Sequence, residues 1–272
     1  MSSTSRPKVL CIVAHFFGQS KFRGGSTAGA NADRRKRVVK RTIAQIKRLS
    51  PLLEPDLCIY GFEGQSLVPI DVDVSSRVAS PLHIPWAAFE DAKRHFQHYD
   101  FLLYLEDDIL VPRRVLARMM AAAKDLAPRE ILFPNRVEFP RGFPIAVDLY
   151  YVPQWTGYSK RWRGRRWHEA VHPHSAMLFM SKEQIASVFD TTDFSNPRRT
   201  CFDFQASVLA EAHKGFRLLR ERSVIPTHFV VHQDSWIIRN KTSMLRAIGS
   251  HLSGYRFGRE PAQKARAKGR LK

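Results

Sequence analysis

Three adjacent acids, Glu106, Asp107 and Asp108, follow directly on the apolar run FLLYL. Such a run forms a buried strand, and carboxylates crowded at its end are unfavourable unless a cation or strong donors offset their repulsion. A divalent metal does this directly. Strand alternation would let Glu106 and Asp108 face one side, sharing a metal, while Asp107 points away. The plainer alternative is a solvated acidic turn. A second cluster, WHEAVHPH at 167–174, spells H-E-x-x-H through His168, Glu169 and His172, the signature of zinc metallopeptidases. That signature works only on a helix, where residues four apart face one metal. Pro173 after His172 and the RWRGRR that precedes the cluster disfavour one, so a loop with His172 or His174 free for polar contacts accounts for it better.

The acids need elements to position them. Residues 9–17 (VLCIVAHFF) form a buried strand that runs into a Gly/Ser-rich loop, and 33–49 carry apolar residues at helical period up to Ser50-Pro51. A short strand over 57–62, a helix over 85–99, a strand over 101–111 and a helix over 114–126 follow. This alternation predicts right-handed crossovers and a mostly parallel sheet, with ligands at the strands' carboxyl edge. Beyond it the pattern changes to strands over 131–139 and 147–152, then a basic, Trp-rich loop over 155–167. A strand over 175–180, helices over 182–189 and 204–214 and a last strand over 224–231 complete the pattern. Residues 258–272 are basic and nearly devoid of apolar side chains, which predicts a mobile tail.

The stretch AAFEDAKRHFQHYDFLLYLEDDILV resembles the segment of GT-A glycosyltransferases, family 2 in particular, in which a helix leads into a strand carrying the D-x-D motif. SAMLFMSKEQIASVF resembles their acceptor-side strand and helix, and CFDFQASVLAEAHKGFRL the segment that holds their catalytic acid. Order and spacing agree across about half the chain. The resemblance implies a GT-A-type α/β fold with a mostly parallel central sheet flanked by helices. It implies a nucleotide-sugar donor, a glycan or glycolipid acceptor and a divalent metal, Mn2+ or Mg2+. Glu106 and Asp108 take the D-x-D positions, with Asp108 the main metal contact and Glu106 at the metal or the donor's ribose. Asp203 falls on the acid that takes the acceptor's proton in inverting members, although Phe202 replaces the usual Glu beside it, and Asp203 also suits a helix N-cap. THFVVHQDS resembles the segment with a histidine near the metal or diphosphate. His232 fits that role better than His228, because Phe229, Val230 and Val231 finish the strand. At the donor side, His15 leaves the first strand and Glu63 leaves the second, where an acid contacts the base in this family.

The implied organisation is one catalytic domain over 1–257, with a donor half at about 8–126 and an acceptor half at about 127–257, followed by the tail. Hydrophobic residues at 44% provide enough material for a packed core. Lys and Arg number 44 against 25 Asp and Glu, a net charge of +19 that attracts phosphates, nucleic acid or anionic lipid. The interleaved WTGYSKRWRGRRW could stack on bases, hold a sugar, lie against an anionic membrane or form a solvated loop. A basic nucleic-acid-binding module explains only the charge, and no signature of one is present, so no specific nucleic acid is expected. A nucleotidyltransferase is the nearer rival, because it too binds a metal-nucleotide through paired acids. Cys11, Cys58 and Cys201 are too sparse for a disulfide framework, and the apolar stretch after the polar first eight residues is too short to span a bilayer. Both features predict a cytoplasmic protein, with peripheral membrane attachment left open.

Overall fold

The computed structural model describes residues 5–18, 31–139, 145–146, 155–170, 176–195, 216–223 and 226–233. The strand expected over 147–152, the helix over 204–214, Cys201, Phe202, Asp203, His172, His174 and the basic stretch 258–272 lie outside them.

In chain order, β1 (Lys8–Ala14), α1 (Ala32–Lys47), β2 (Glu54–Gly61), β3 (Val72–Asp73), α2 (Ile84–His95) and β4 (Phe101–Glu106) come first. There follow β5 (Ile109–Leu110), α3 (Arg113–Asp125), β6 (Glu130–Leu132), β7 (Asn135–Glu138), β8 (Ile145–Ala146), β9 (Trp155–Trp162) and β10 (Arg165–Ala170). The described elements end with β11 (Met177–Ser181), α4 (Lys182–Thr191), β12 (Arg217–Arg220) and β13 (Phe229–His232). The class is α/β. Its central sheet has the order β11-β4-β1-β2-β3, parallel throughout except for antiparallel β11. Smaller sheets run β6-β12-β10-β9 and β5-β13-β7-β8.

The central strands are near-continuously apolar because both faces are covered. Side chains alternate along β4, so Leu102 and Tyr104 join the layer under α2 and α4, where Trp86, Phe89 and Phe189 lie. Leu103 and Leu105 join the opposite layer, with Ile46 of α1 and Leu116 and Met119 of α3. Each such buried side chain contributes about 1.5–3 kcal/mol through loss of water contact. The sheet is thereby a rigid platform for whatever emerges from its edge.

Several sequence expectations are corrected. The strand over 101–111 is broken at Asp107 and Asp108, which form a turn, and β5 then pairs with β13 in another sheet. Pro134 similarly splits 131–139 into β6 and β7, which lie in different sheets. The Trp-rich segment is no loop: β9 and β10 form an antiparallel hairpin whose turn residues Arg163 and Gly164 have φ of 49° and 75°. His168 and Glu169 sit on β10, so the helical zinc-peptidase arrangement is absent at these two residues. Among the described residues no helix is long and apolar enough to cross a membrane.

Candidate active site at the carboxyl edge of the sheet

Strands β1, β2 and β4 are parallel and in register, with Ala14 opposite Tyr60 and Glu106, so their exits form one edge. His15 follows β1 and is only 1% exposed. Its Nε2 accepts the Leu67 N–H at 3.0 Å, so Nδ1 is the nitrogen that donates to Asp107. The backbone is close here as well: a Cβ at Gly61 would lie 2.8 Å from the His15 carbonyl oxygen, a distance that requires glycine. His15 thus has both ring nitrogens engaged within the protein.

The acidic turn is held from α1. Arg35, in the first turn of that helix, spans two carboxylates, with Nη2 on Asp107 Oδ1 and Nη1 on Asp108 Oδ2 at 3.0 Å. Gln45 of α1 brackets the far side of the turn, accepting Val111 N–H at 2.9 Å and donating to the Val111 carbonyl. Asp107, which strand alternation would turn outward, is instead 4% exposed and anchored by His15 and Arg35. The turn dictates this, because the alternation rule lapses once the chain leaves β4 at Glu106. Arg35 escaped the sequence reading because it lies more than seventy residues before the acids and looks like any exposed helical cation. A better signal was its place at the start of the helix that follows the Gly/Ser-rich loop.

The last described strand, β13, closes the site. Gln233 donates its backbone N–H to the Asp108 carbonyl at 2.9 Å and its side-chain amide to Thr42 Oγ1 of α1 at 2.9 Å. This brings His232 Nε2 to 3.5 Å from Asp108 Oδ2, while His232 Nδ1 is 2.7 Å from Oε1 of buried Glu138 on β7. Burial disfavours charge on His232, but the charge of Asp108 and the bonds to Asp108 and Glu138 outweigh it and raise its pKa well above the usual histidine value. Burial likewise disfavours ionised Asp108, and here His232 and Arg35 prevail, holding its carboxyl well below the ordinary range. The charge that the acids require is therefore supplied by internal cations.

Of the expected site residues, His15, Glu106, Asp108 and His232 converge on this edge. Glu106 ends β4 half-buried. Glu63 lies two residues beyond β2 and is exposed, its N–H donated to Asp73 Oδ1 at 3.1 Å. Among the described residues no three His, Cys, Asp or Glu side chains are grouped as a ready cation cage. One feature fits a cation: Asp108 Oδ1 is buried, has no hydrogen-bond partner among these residues and lies on the carboxylate next to an imidazole. A carboxylate oxygen with a neighbouring imidazole suits an ion that takes its remaining ligands from substrate phosphates and water.

No family model matches the sequence, and no curated protein matches it either. Among solved structures, the chain is similar to a glycosyltransferase involved in the glycosylation of the major capsid of PBCV-1, at 12% identity and a TM-score of 0.38, covering 90% of this chain and 100% of that one. It is similar to the galactosyltransferase LgtC at 12% identity and a TM-score of 0.36, covering 96% and 99%. A third likeness is to 4-diphosphocytidyl-2C-methyl-D-erythritol synthase, at 10% identity and a TM-score of 0.40, covering 89% and 99%. Likenesses at these scores carry no argument about chemistry, which has to come from the site itself.

Proposed function

We propose that the chain is a glycosyltransferase moving a sugar from a nucleotide-diphosphate donor to a hydroxyl of a glycan or glycolipid acceptor. The observation that carries this reading is the Asp108 carboxylate, buried at the carboxyl edge of a parallel sheet with one oxygen unpartnered among the described residues. That edge is where nucleotide ligands of open α/β sheets bind. A divalent cation, Mn2+ or Mg2+, held by Asp108 and His232 with Glu106 beside it, would supply charge that stabilises the departing diphosphate.

The chain's own groups have distinct tasks. Asp107 and His15 fix the turn that presents Asp108, which makes His15 a positioning residue rather than a donor contact. Glu63, exposed past β2, is the acid available to the base of the donor. Glu138 orients the His232 ring through Nδ1, leaving Nε2 toward the site, and capture of a metal there would release the Nε2 proton. Asp203 takes the proton from the acceptor hydroxyl as it attacks the anomeric carbon with inversion. Peripheral contact with an anionic membrane would bring a glycolipid acceptor to this edge, drawn by the net charge of +19.

The test is a thermal-shift and turnover panel of nucleotide sugars with Mn2+ or Mg2+, run beside nucleoside triphosphates and a duplex oligonucleotide. Metal-dependent stabilisation by a nucleoside diphosphate and release of that diphosphate from its sugar are expected. Asp203→Asn should remove turnover and leave donor binding largely intact. Stabilisation by the duplex alone, or turnover only with triphosphates, overturns the reading.

A further inference from the structure

We propose that Arg35 is an exchangeable counter-ion: its guanidinium holds Asp107 and Asp108 until a divalent cation takes the carboxylate edge, and then turns to the donor's diphosphate. The inference rests on the glycosyltransferase reading and adds a regulatory step to the same site, cooperative loading of metal and donor.

The geometry supports the exchange from both ends. Arg35 bridges the two carboxylates with its fork, one terminal nitrogen on Asp107 Oδ1 and the other on Asp108 Oδ2. An ion reaching the buried, unpartnered Asp108 Oδ1 meets the Arg35 guanidinium on the other oxygen of the same carboxylate. Cation and guanidinium repel at this separation in a weakly screened site, so metal alone binds poorly while Arg35 stays in place.

Arg35 is also the most exposed member of the cluster. Its side chain is 19% exposed, against 6% for Asp107 and 8% for Asp108, and it reaches the acids on a flexible stem from the first turn of α1. Helix α1 itself stays anchored through Gln45 to Val111 and Thr42 to Gln233, so release of the guanidinium need not shift the helix. A freed guanidinium at a helix N-terminus is matched to an anion, and its planar fork fits phosphate oxygens as it fits carboxylates. Donor diphosphate removes the repulsion that opposed the metal, and metal releases the cation that the diphosphate needs. By linkage each ligand strengthens the other to the same degree.

The measurement is binding of Mn2+ followed by electron paramagnetic resonance, with and without each of UDP, GDP, ADP and CDP, on the full chain, with nucleotide affinity read by calorimetry. Wild type should bind Mn2+ weakly alone and at least about tenfold more tightly with the preferred diphosphate. Arg35→Gln should bind Mn2+ alone about tenfold more tightly and the diphosphate with Mn2+ about tenfold more weakly, opposite shifts that a merely structural arginine does not produce. Arg35→Lys, which keeps the charge but not the fork, should shift both affinities in the same directions by about threefold and decides the matter if the glutamine variant melts early. Parallel loss of both affinities, or unchanged Mn2+ binding, overturns the exchange while leaving the transferase reading intact. Wild type that binds no diphosphate with Mn2+ overturns both.

Discussion

His228, just before β13, and His232, its last residue, stand four residues apart, yet they inhabit opposite kinds of interior. His232 lies among Asp108, Glu138 and the β5 edge, where acids make its protonated form favourable. His228 is 0% exposed, its ring edge-on to Trp167 at 5.3 Å, and neither ring nitrogen has a hydrogen-bond partner among the described residues. Burial, followed by the charges of Arg118 and Arg165, lowers its pKa from the ordinary 6.5 to about 3. The same distinction separates the two basic regions. At the sheet's edge Arg35 is turned inward to offset acids, whereas the β9–β10 hairpin buries Trp162 and Trp167 and leaves Arg161 and Arg166 outside, directly opposite each other. At the sheet's edge each buried carboxylate, Asp107, Asp108 and Glu138, faces a counter-charge already built in, Arg35 or His232, and a compensated cluster of this kind is a candidate place for chemistry.

The comparison can be broken most directly at Asp108. Asp108→Asn keeps the shape of the side chain and removes its charge. Sugar transfer should fall by about 10²–10³-fold, with metal-dependent nucleotide binding lost, and full activity would remove the edge from consideration. On the other side of the comparison, Trp167→Ala should cost about 3–5 kcal/mol in a denaturant melt by leaving a cavity beside His228. Donor binding by the fraction that remains folded should be unchanged. If binding were lost in a folded variant, the two regions would be one functional unit.

A pH series sharpens the contrast between the histidines. His228 is neutral in the fold but takes a proton in the unfolded chain below its ordinary 6.5, so the unfolded state gains protons that the native state does not. Its share of stability is therefore present above that pH and is lost toward the folded value near 3, by up to about 1.4 kcal/mol per pH unit. His228→Phe should flatten this part of the stability curve, and an unchanged slope would assign the acid sensitivity elsewhere. The smallest effect is expected at the hairpin surface. Arg161→Ser relieves a like-charge cross-strand pair and should change stability by no more than about 0.5 kcal/mol, read as a shift in denaturation midpoint. Weakened pelleting with anionic vesicles in the same variant would mark this face as the membrane contact.

Much of the scaffold was legible because its signals are local. The apolar runs before His15 and Glu106 can form only buried strands, and the helical period of 33–49 and 114–126 survives as α1 and α3. Two strong local signals were nevertheless misread. The run 101–111 looked like one strand, since nothing in an apolar-acidic-apolar run announces that the acids will be pulled into a turn by His15 and Arg35. WTGYSKRWRGRRW looked like a loop, since its period of two is masked by arginines on the outer face and by a turn at Arg163-Gly164 that uses positive φ at a non-glycine residue. The strand Arg217–Arg220 was missed because two leucines between basic ends carry too little pattern to stand out.

The sequence by itself determined that β4 would be buried, that acids would emerge at its end and that a histidine would lie close to the end of the final strand. Hydrophobic period and strand length carry those facts, and neither depends on distant residues. Only the tertiary structure decided which charges answer the acids. Arg35, Asp108 and His232 are separated by long stretches of chain, and their pairing follows from how α1, the Asp107–Asp108 turn and β13 pack at one edge. Electrostatic compensation in a poorly solvated interior is a property of that packing, and no stretch of residues read alone contains it.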